Sequence, residues 1–204
     1  MILRILRGRA RRDDLAPLMA AVRTDIAEWA AIDDSLVSAE PAWRPAGDGV
    51  EFLLVSTWSD AESVMSRGGD VSLPRGRVGE SGLLEGARAQ HFELMMGASR
   101  RGPRAGELVR LSTISLVPRR SSAFYEQVRR LWDELVADAA VTAVRVGRRA
   151  APDQEEAVVV SVWESQAALE GATPGGFVGG DGMATFYATE PVIEHFTALA
   201  LDEG

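Results

Sequence analysis

The sequence contains no cysteine and no lysine, and it has only two histidines. Without Cys there is no disulfide framework, no thiolate nucleophile and no Cys-based zinc or iron–sulfur site, which fits a cytoplasmic protein. Without Lys there is no Walker A phosphate loop, because that loop needs its Lys. Long apolar runs are lacking too: no stretch approaches the roughly 20 residues needed to cross a bilayer, so no membrane partner is expected. The basic charge is all Arg, 22 residues against 30 Asp and Glu, for a formal net charge of −8. An acidic chain without Lys clusters is poorly suited to nucleic acid or an anionic membrane surface, where phosphate contacts need positive charge.

What is present is the composition of a globular protein, 46% hydrophobic and 25% charged over 204 residues. That length accommodates one large domain or two of about 100 residues. The Arg-rich start, Arg4 to Arg12, superficially suggests a transit peptide, but Ser is missing there and Asp13 and Asp14 follow at once. Ile2, Leu3, Ile5 and Leu6 are better used as a strand. Charge is uneven: residues 1–104 hold 14 Arg against 15 acids, residues 105–204 hold 8 against 15.

A repeat decides between one domain and two. Val55-Ser56-Thr57-Trp58-Ser59-Asp60-Ala61-Glu62 returns 105 residues later as Val160-Ser161-Val162-Trp163-Glu164-Ser165-Gln166-Ala167. Each copy is an apolar strand ending on Trp, then a polar cap, then helix formers. Around it the same order recurs. An opening strand (Ile2 to Arg7; Leu108 to Leu116) leads to a helix. In the first half Asp13 and Asp14 are placed to cap it, Pro17 sits in its first turn, and Leu15, Leu18, Met19, Val22, Ile26 and Trp29 form its stripe. In the second half Ser121 or Ser122 is the expected cap, with Tyr125, Val128, Leu131, Trp132 and Leu135 as the stripe.

A hairpin follows in each half, Ser35 to Glu40 with Val50 to Trp58, and Val141 to Val146 with Ala157 to Trp163. The unbroken apolar run Val158 to Val162 predicts a central strand covered on both faces. Short helices are expected over 60–67 and 165–170, Gly-rich connections over 68–86 and 171–182, and closing strands over 90–95 and 194–199. Both His residues lie in those closing strands, each followed by Phe. The order β-α-β-β-α-β is the split βαβ, or ferredoxin-like, arrangement. The expected fold is therefore α+β, two tandem ferredoxin-like repeats packed sheet to sheet as a pseudodimeric α+β barrel, with repeats over 1–98 and 107–204 and a linker over 99–106.

Val162-Trp163-Glu164-Ser165-Gln166-Ala167-Ala168-Leu169 with Glu190-Pro191-Val192-Ile193-Glu194-His195-Phe196 resembles the antibiotic biosynthesis monooxygenase type of dimeric α+β barrel. The first half resembles it through Ser56 to Glu62 and Gln90-His91-Phe92. The resemblance implies two copies fused in one chain, and an enzyme related to oxygenases that need no cofactor. Members that oxygenate quinols or open haem use an Asn beside Trp and His or Tyr; this chain contains no Asn, so no catalytic set carries over intact.

Five residues are the candidate site. His91 and His195 are candidate proton-transfer residues, since imidazole titrates near neutrality; a structural hydrogen bond and haem-iron ligation are the competing roles. No metal site is expected from two His, because zinc usually takes three or four protein ligands. Trp58 and Trp163 are candidate walls for a flat ligand, against a plain packing role at a strand-to-helix corner. Tyr187 is a candidate phenol donor to the ligand, against a loop anchor. The Gly-rich loops read as lids or connectors, and Arg75, Arg77 and Arg88 as an anion-attracting group or a solvated face.

Two functions follow. One is a cofactor-independent monooxygenase, or related small-molecule enzyme, acting on an aromatic or quinol-like substrate. The alternative is a non-catalytic ligand-binding or stress-associated barrel, with haem degradation third. The expected partner is a small apolar or aromatic molecule, and the fused barrel is open to further homo-oligomerisation.

Overall fold

The apolar patterning becomes antiparallel strands and the helices that pack on them, in a computed structural model that describes residues 1–32, 34–68, 76–150, 154–172 and 182–201. The chain divides into two compact units, Met1–Glu93 with Thr197–Gly204, and Leu94–Phe196. In the first, β1 (Ile2–Arg11) leads through a 3-10 turn to α1 (Leu15–Ile32), then β2 (Leu36–Ala46) and β3 (Gly49–Trp58). Next come α2 (Ala61–Ser63), continued by a π turn over Val64–Gly68, then α3 (Arg77–Glu80) and β4 (Glu85–Ser99). The strand order is β4-β1-β3-β2, antiparallel throughout. Thr197 and Ala198 pair with Trp43 and Ala42 on the far edge of β2.

The second unit has β5 (Leu108–Leu116), α4 (Ser121–Ala137), β6 (Val141–Ala150), β7 (Glu155–Trp163), α5 (Gln166–Ala172) and β8 (Val192–Ala198). Its order is β8-β5-β7-β6. Both orders are those of the ferredoxin-like arrangement, in which the first and third strands of the unit pair at its centre.

Residues directly opposite one another in a ladder share a face. In the first unit Leu6 opposes Leu54 and Ala10 opposes Val50, and these pack under Leu18, Met19 and Val22 of α1. In the second unit Ile114 opposes Ala157, and Val144, Val146 and Val159 pack with them under Phe124, Tyr125 and Val128 of α4. The alternate positions are buried as well: Leu3, Ile5, Leu53 and Val55 in one unit, Val109, Leu111, Val158, Val160 and Val162 in the other. Burial on both faces is the reason Val158 to Val162 shows no polar alternation.

The α1 stripe is as expected, and the α4 stripe gains Phe124, which is fully buried. Neither expected Ser cap on α4 is used: Arg120 occupies the N-cap with no side-chain capping bond, and its guanidinium donates instead to the Thr185 carbonyl. Asp14 accepts from Arg11 Nε at 2.7 Å. Asp60 does cap α2, accepting from the Ser63 N–H at 2.7 Å, and Ser165 Oγ accepts from the Ala168 N–H at 3.1 Å.

Strand β2 runs through Pro41 and Pro45, past the expected end at Glu40. The Pro41 carbonyl accepts from the Leu199 N–H, so that residue turns its backbone polar groups away from β3, and the N–H it lacks is not needed by the β2–β3 ladder. Gly47, with φ of 63°, allows the tight turn into β3. Strand β4 also outruns its expected span, continuing through Gly97 to Ser99. Residues 69–75 and 173–181, which hold most of the two Gly-rich connections and Arg75, lie outside the described residues.

Candidate active site

Each unit carries the same small device at its strand-to-helix corner. Ser56 and Trp58 lie two apart in β3, on the face toward α1, and the indole Nε1–H of Trp58 donates to Ser56 Oγ at 2.9 Å. Ser161 and Trp163 do the same in β7 at 2.8 Å. Both Trp rings are essentially without solvent exposure. Trp58 packs against Trp29 of α1, with ring centroids 5.4 Å apart and tilted at 54°, and Trp163 is part of the core under α4. A wide apolar ring at this corner fills the helix–sheet gap, and the Ser two residues earlier satisfies its one donor. Neither ring presents an open face to solvent.

Beside each Ser stands an Arg on the neighbouring central strand. Arg4 opposes Ser56 across β1–β3, and Arg110 opposes Ser161 across β5–β7. Both are buried, Arg4 with 1% and Arg110 with 6% of its surface exposed. Burial alone pulls the Arg4 guanidinium down to about 10, and it pulls Arg110 down as well. These arginines were missed in the sequence, although a signal exists: each is flanked by two apolar residues at the start of its half, as Leu3-Arg4-Ile5 and Val109-Arg110-Leu111.

In the first unit the third member of the row is a closing-strand His. His91 sits opposite Arg4 in the β1–β4 ladder, so His91, Arg4 and Ser56 lie side by side on one face. In the second unit His195 is within electrostatic reach of Arg110, and so is Tyr187. Burial pushes His195 below its usual range and the Arg110 charge adds to that. Burial pushes the Tyr187 phenol up to about 12, with Arg110 opposing the shift. Tyr187 is fixed by a backbone bridge to Leu116 and by its edge-on ring contact with Phe124, centroids 6.5 Å apart.

The units therefore differ in what surrounds the row. In the first, Trp29, Trp58 and Val64 cluster at the corner, and Val78 and Leu84 fill the sheet–α1 gap farther along. In the second, His195 is open to solvent yet partly desolvated, and Tyr187 is half-buried. Of the expected site residues, the structure brings His195, Tyr187 and Trp163 into one unit around Arg110, and His91 and Trp58 into the other around Arg4. Arg77 is paired with Glu28 at 2.8 Å and Arg88 is exposed. Among the described residues no group of three or more His, Asp or Glu is arranged to hold a metal ion, and no helix is long and apolar enough to cross a membrane.

No family model matches this sequence, and no curated protein matches it. Solved structures do. A candidate monooxygenase from Lactobacillus acidophilus NCFM is similar with a TM-score of 0.72 and 8% identity, over 97% of this chain and 92% of that one. An anthrone oxidase-like protein is similar with a TM-score of 0.57 and 13% identity, over 98% and 92%. A ferredoxin-fold protein related to antibiotic biosynthesis monooxygenases, from Listeria monocytogenes 4b F2365, gives 0.54 and 9%, over 98% and 95%. At such identities the likeness is one of fold, and it extends over nearly the whole chain.

Proposed function

We propose that this protein is a monooxygenase-type oxidoreductase acting on an aromatic, quinol- or anthrone-like substrate, with its working site in the second unit. The observation that carries the reading is the Arg110 guanidinium acting on both Tyr187 and His195 beside the Ser161–Trp163 corner. The names of the structural neighbours support the substrate class. The fused pair of monooxygenase-type repeats belongs to the same proposal, supported by the 105-residue offset between Ser56-Trp58 and Ser161-Trp163.

The protonation states suit the chemistry. A His held below its usual range is unprotonated at neutral pH and can act as a base. A phenol pushed up to about 12 keeps its proton and can donate a hydrogen bond. In the proposed reaction His195 takes a proton from the activated methylene of an anthrone, and the guanidinium of Arg110 stabilises the resulting enolate. Dioxygen, the oxidant, adds to the carbanion carbon; the peroxide takes up a proton, and loss of water leaves a carbonyl. One oxygen atom enters the substrate and the other leaves as water. No cofactor enters this balance.

Oxygen uptake by the purified chain with a panel of anthrones and quinols tests the reading. Uptake lost in His195→Gln and Arg110→Gln supports it. Uptake lost in His91→Gln and kept in His195→Gln would move the site to the first unit. Binding of the same compounds without any uptake would overturn the enzyme reading in favour of a carrier.

A further inference from the structure

The first unit contains a buried carboxylate with an unusual task. Asp25 lies in the middle of α1 with 1% of its surface exposed, where a helix residue on the core face would ordinarily be apolar. Its two oxygens accept from the backbone N–H groups of Arg77 at 2.8 Å and Val78 at 3.0 Å, the first residues of α3. Gly76, at φ of 84°, brings the chain so close that an added Cβ would stand 2.7 Å from Asp25 Oδ2. Only glycine allows this approach.

What the carboxylate holds in place is a plug. Val78 and Leu84 insert among Leu6, Leu18, Val22, Phe52 and Leu54, between α1 and the sheet. Leu84 fits because Gly8 of β1 has no side chain: a Cβ there would lie 2.5 Å from Leu84 Cγ. Ser81 and Gly82 between the two plug residues are exposed. Among the described residues, the polar contacts between α3 and α1 are the Arg77–Glu28 ion pair, which is open to solvent on both sides, and the two Asp25 bonds. Surface pairs of that kind contribute little. The attachment is thus concentrated in one buried carboxylate and the apolar side chains of Val78, Leu83 and Leu84, whereas the sheet beneath is held by backbone ladders.

We propose that residues 76–84 are a releasable seal latched by Asp25, and that the gap under Val78 and Leu84 is a second ligand site, for an apolar and preferably aromatic molecule. The gap's walls fit that class. They are aliphatic and aromatic along α1, β1 and β3, and they continue through Ile26 to the Trp29–Trp58 pair. The proposal does not depend on oxidation chemistry in the second unit.

The test uses the full chain and N-phenyl-1-naphthylamine, a neutral apolar fluorophore. Asp25→Ala removes both acceptors, so amides of 76–84 should exchange hydrogen about tenfold faster or more while β1 and β3 keep their protection. Probe binding should strengthen about tenfold, with new protection in α1 when the probe is present. Leu84→Ala removes the plug but leaves the latch, and it should take up the probe even if Asp25→Ala fails to fold. Arg77→Ala, which breaks only the exposed pair, should change neither. Strap exchange that stays slow in Asp25→Ala, or that rises only together with β1 and β3, would overturn the latch. Absence of probe uptake by Leu84→Ala would overturn the site.

Discussion

The indole of Trp163 donates to Ser161 Oγ at 2.8 Å, inside a corner where Trp163 is 1% and Ser161 5% exposed. The bond is made two residues along one strand, so the strand geometry itself presents the acceptor. Ser161→Ala leaves a buried donor with nothing to bond, and the expected cost is about 1–3 kcal/mol. Urea unfolding monitored by circular dichroism checks this: the midpoint should fall with an unchanged slope. Ser56→Ala should behave alike through Trp58.

Activity, where oxygen uptake is measured, should depend on pH in a defined direction. His195 is held below 6.5 by burial and by Arg110, and as a base it must be unprotonated. The rate should therefore fall on the acid side, with a midpoint below 6.5, and stay level through neutral and moderately alkaline pH, because Tyr187 keeps its proton to about 12. In Arg110→Gln the acid midpoint should move upward, since one of the influences that depress it is gone. A kcat/KM profile of the two proteins measures both effects. His195→Gln should lower kcat by roughly 10²–10⁴-fold if proton removal limits the reaction.

The contact between Gly8 and Leu84 makes a sharp packing test. Gly8→Ala places a methyl group 2.5 Å from Leu84 Cγ, and a branched carbon cannot yield without moving the strap. A destabilisation of about 1–3 kcal/mol is expected. Leu84→Ala alone is also destabilising, through a cavity. In the double variant the two losses should compensate, giving less than their sum in a double-mutant cycle measured by denaturation.

Glu51 is clamped by two strands. Burial alone would raise its carboxyl, but hydrogen bonds and charge from Arg7 on β1 and Arg44 on β2 outweigh that and hold it below the usual range. A folded-state pKa below the unfolded one means the stabilisation is present above about 4.5 and is lost as pH falls through the folded value. Glu51→Gln should cost about 1–2 kcal/mol at neutral pH and nearly nothing in strong acid, as read from unfolding midpoints across that range. On the matching hairpin Arg149 Nε donates to Glu156 at 2.9 Å.

The sequence by itself determined the local elements and their order. Strands, hairpins and helix stripes depend on short-range periodicity, and Leu18, Val22, Tyr125, Val128 and the strand run Val158 to Val162 were all legible for that reason. The two Trp corners were legible because the residues forming each one lie within a few positions of one another. Tertiary structure decided the rest. An Arg flanked by apolar residues in a strand gives no sign of which His or Tyr it will meet, since Arg110, Tyr187 and His195 converge only when β8 closes beside β5. Asp25 carries no signal of its own within the α1 stripe, and only the return of the chain at Gly76 makes it a buried acceptor. The unused Ser caps on α4 have the same cause, since the choice among competing donors and acceptors at a helix end depends on distant groups such as the Thr185 carbonyl. Backbone periodicity is set by neighbours in sequence, whereas the pairing of buried polar groups is set by desolvation, which exists only once the core has formed.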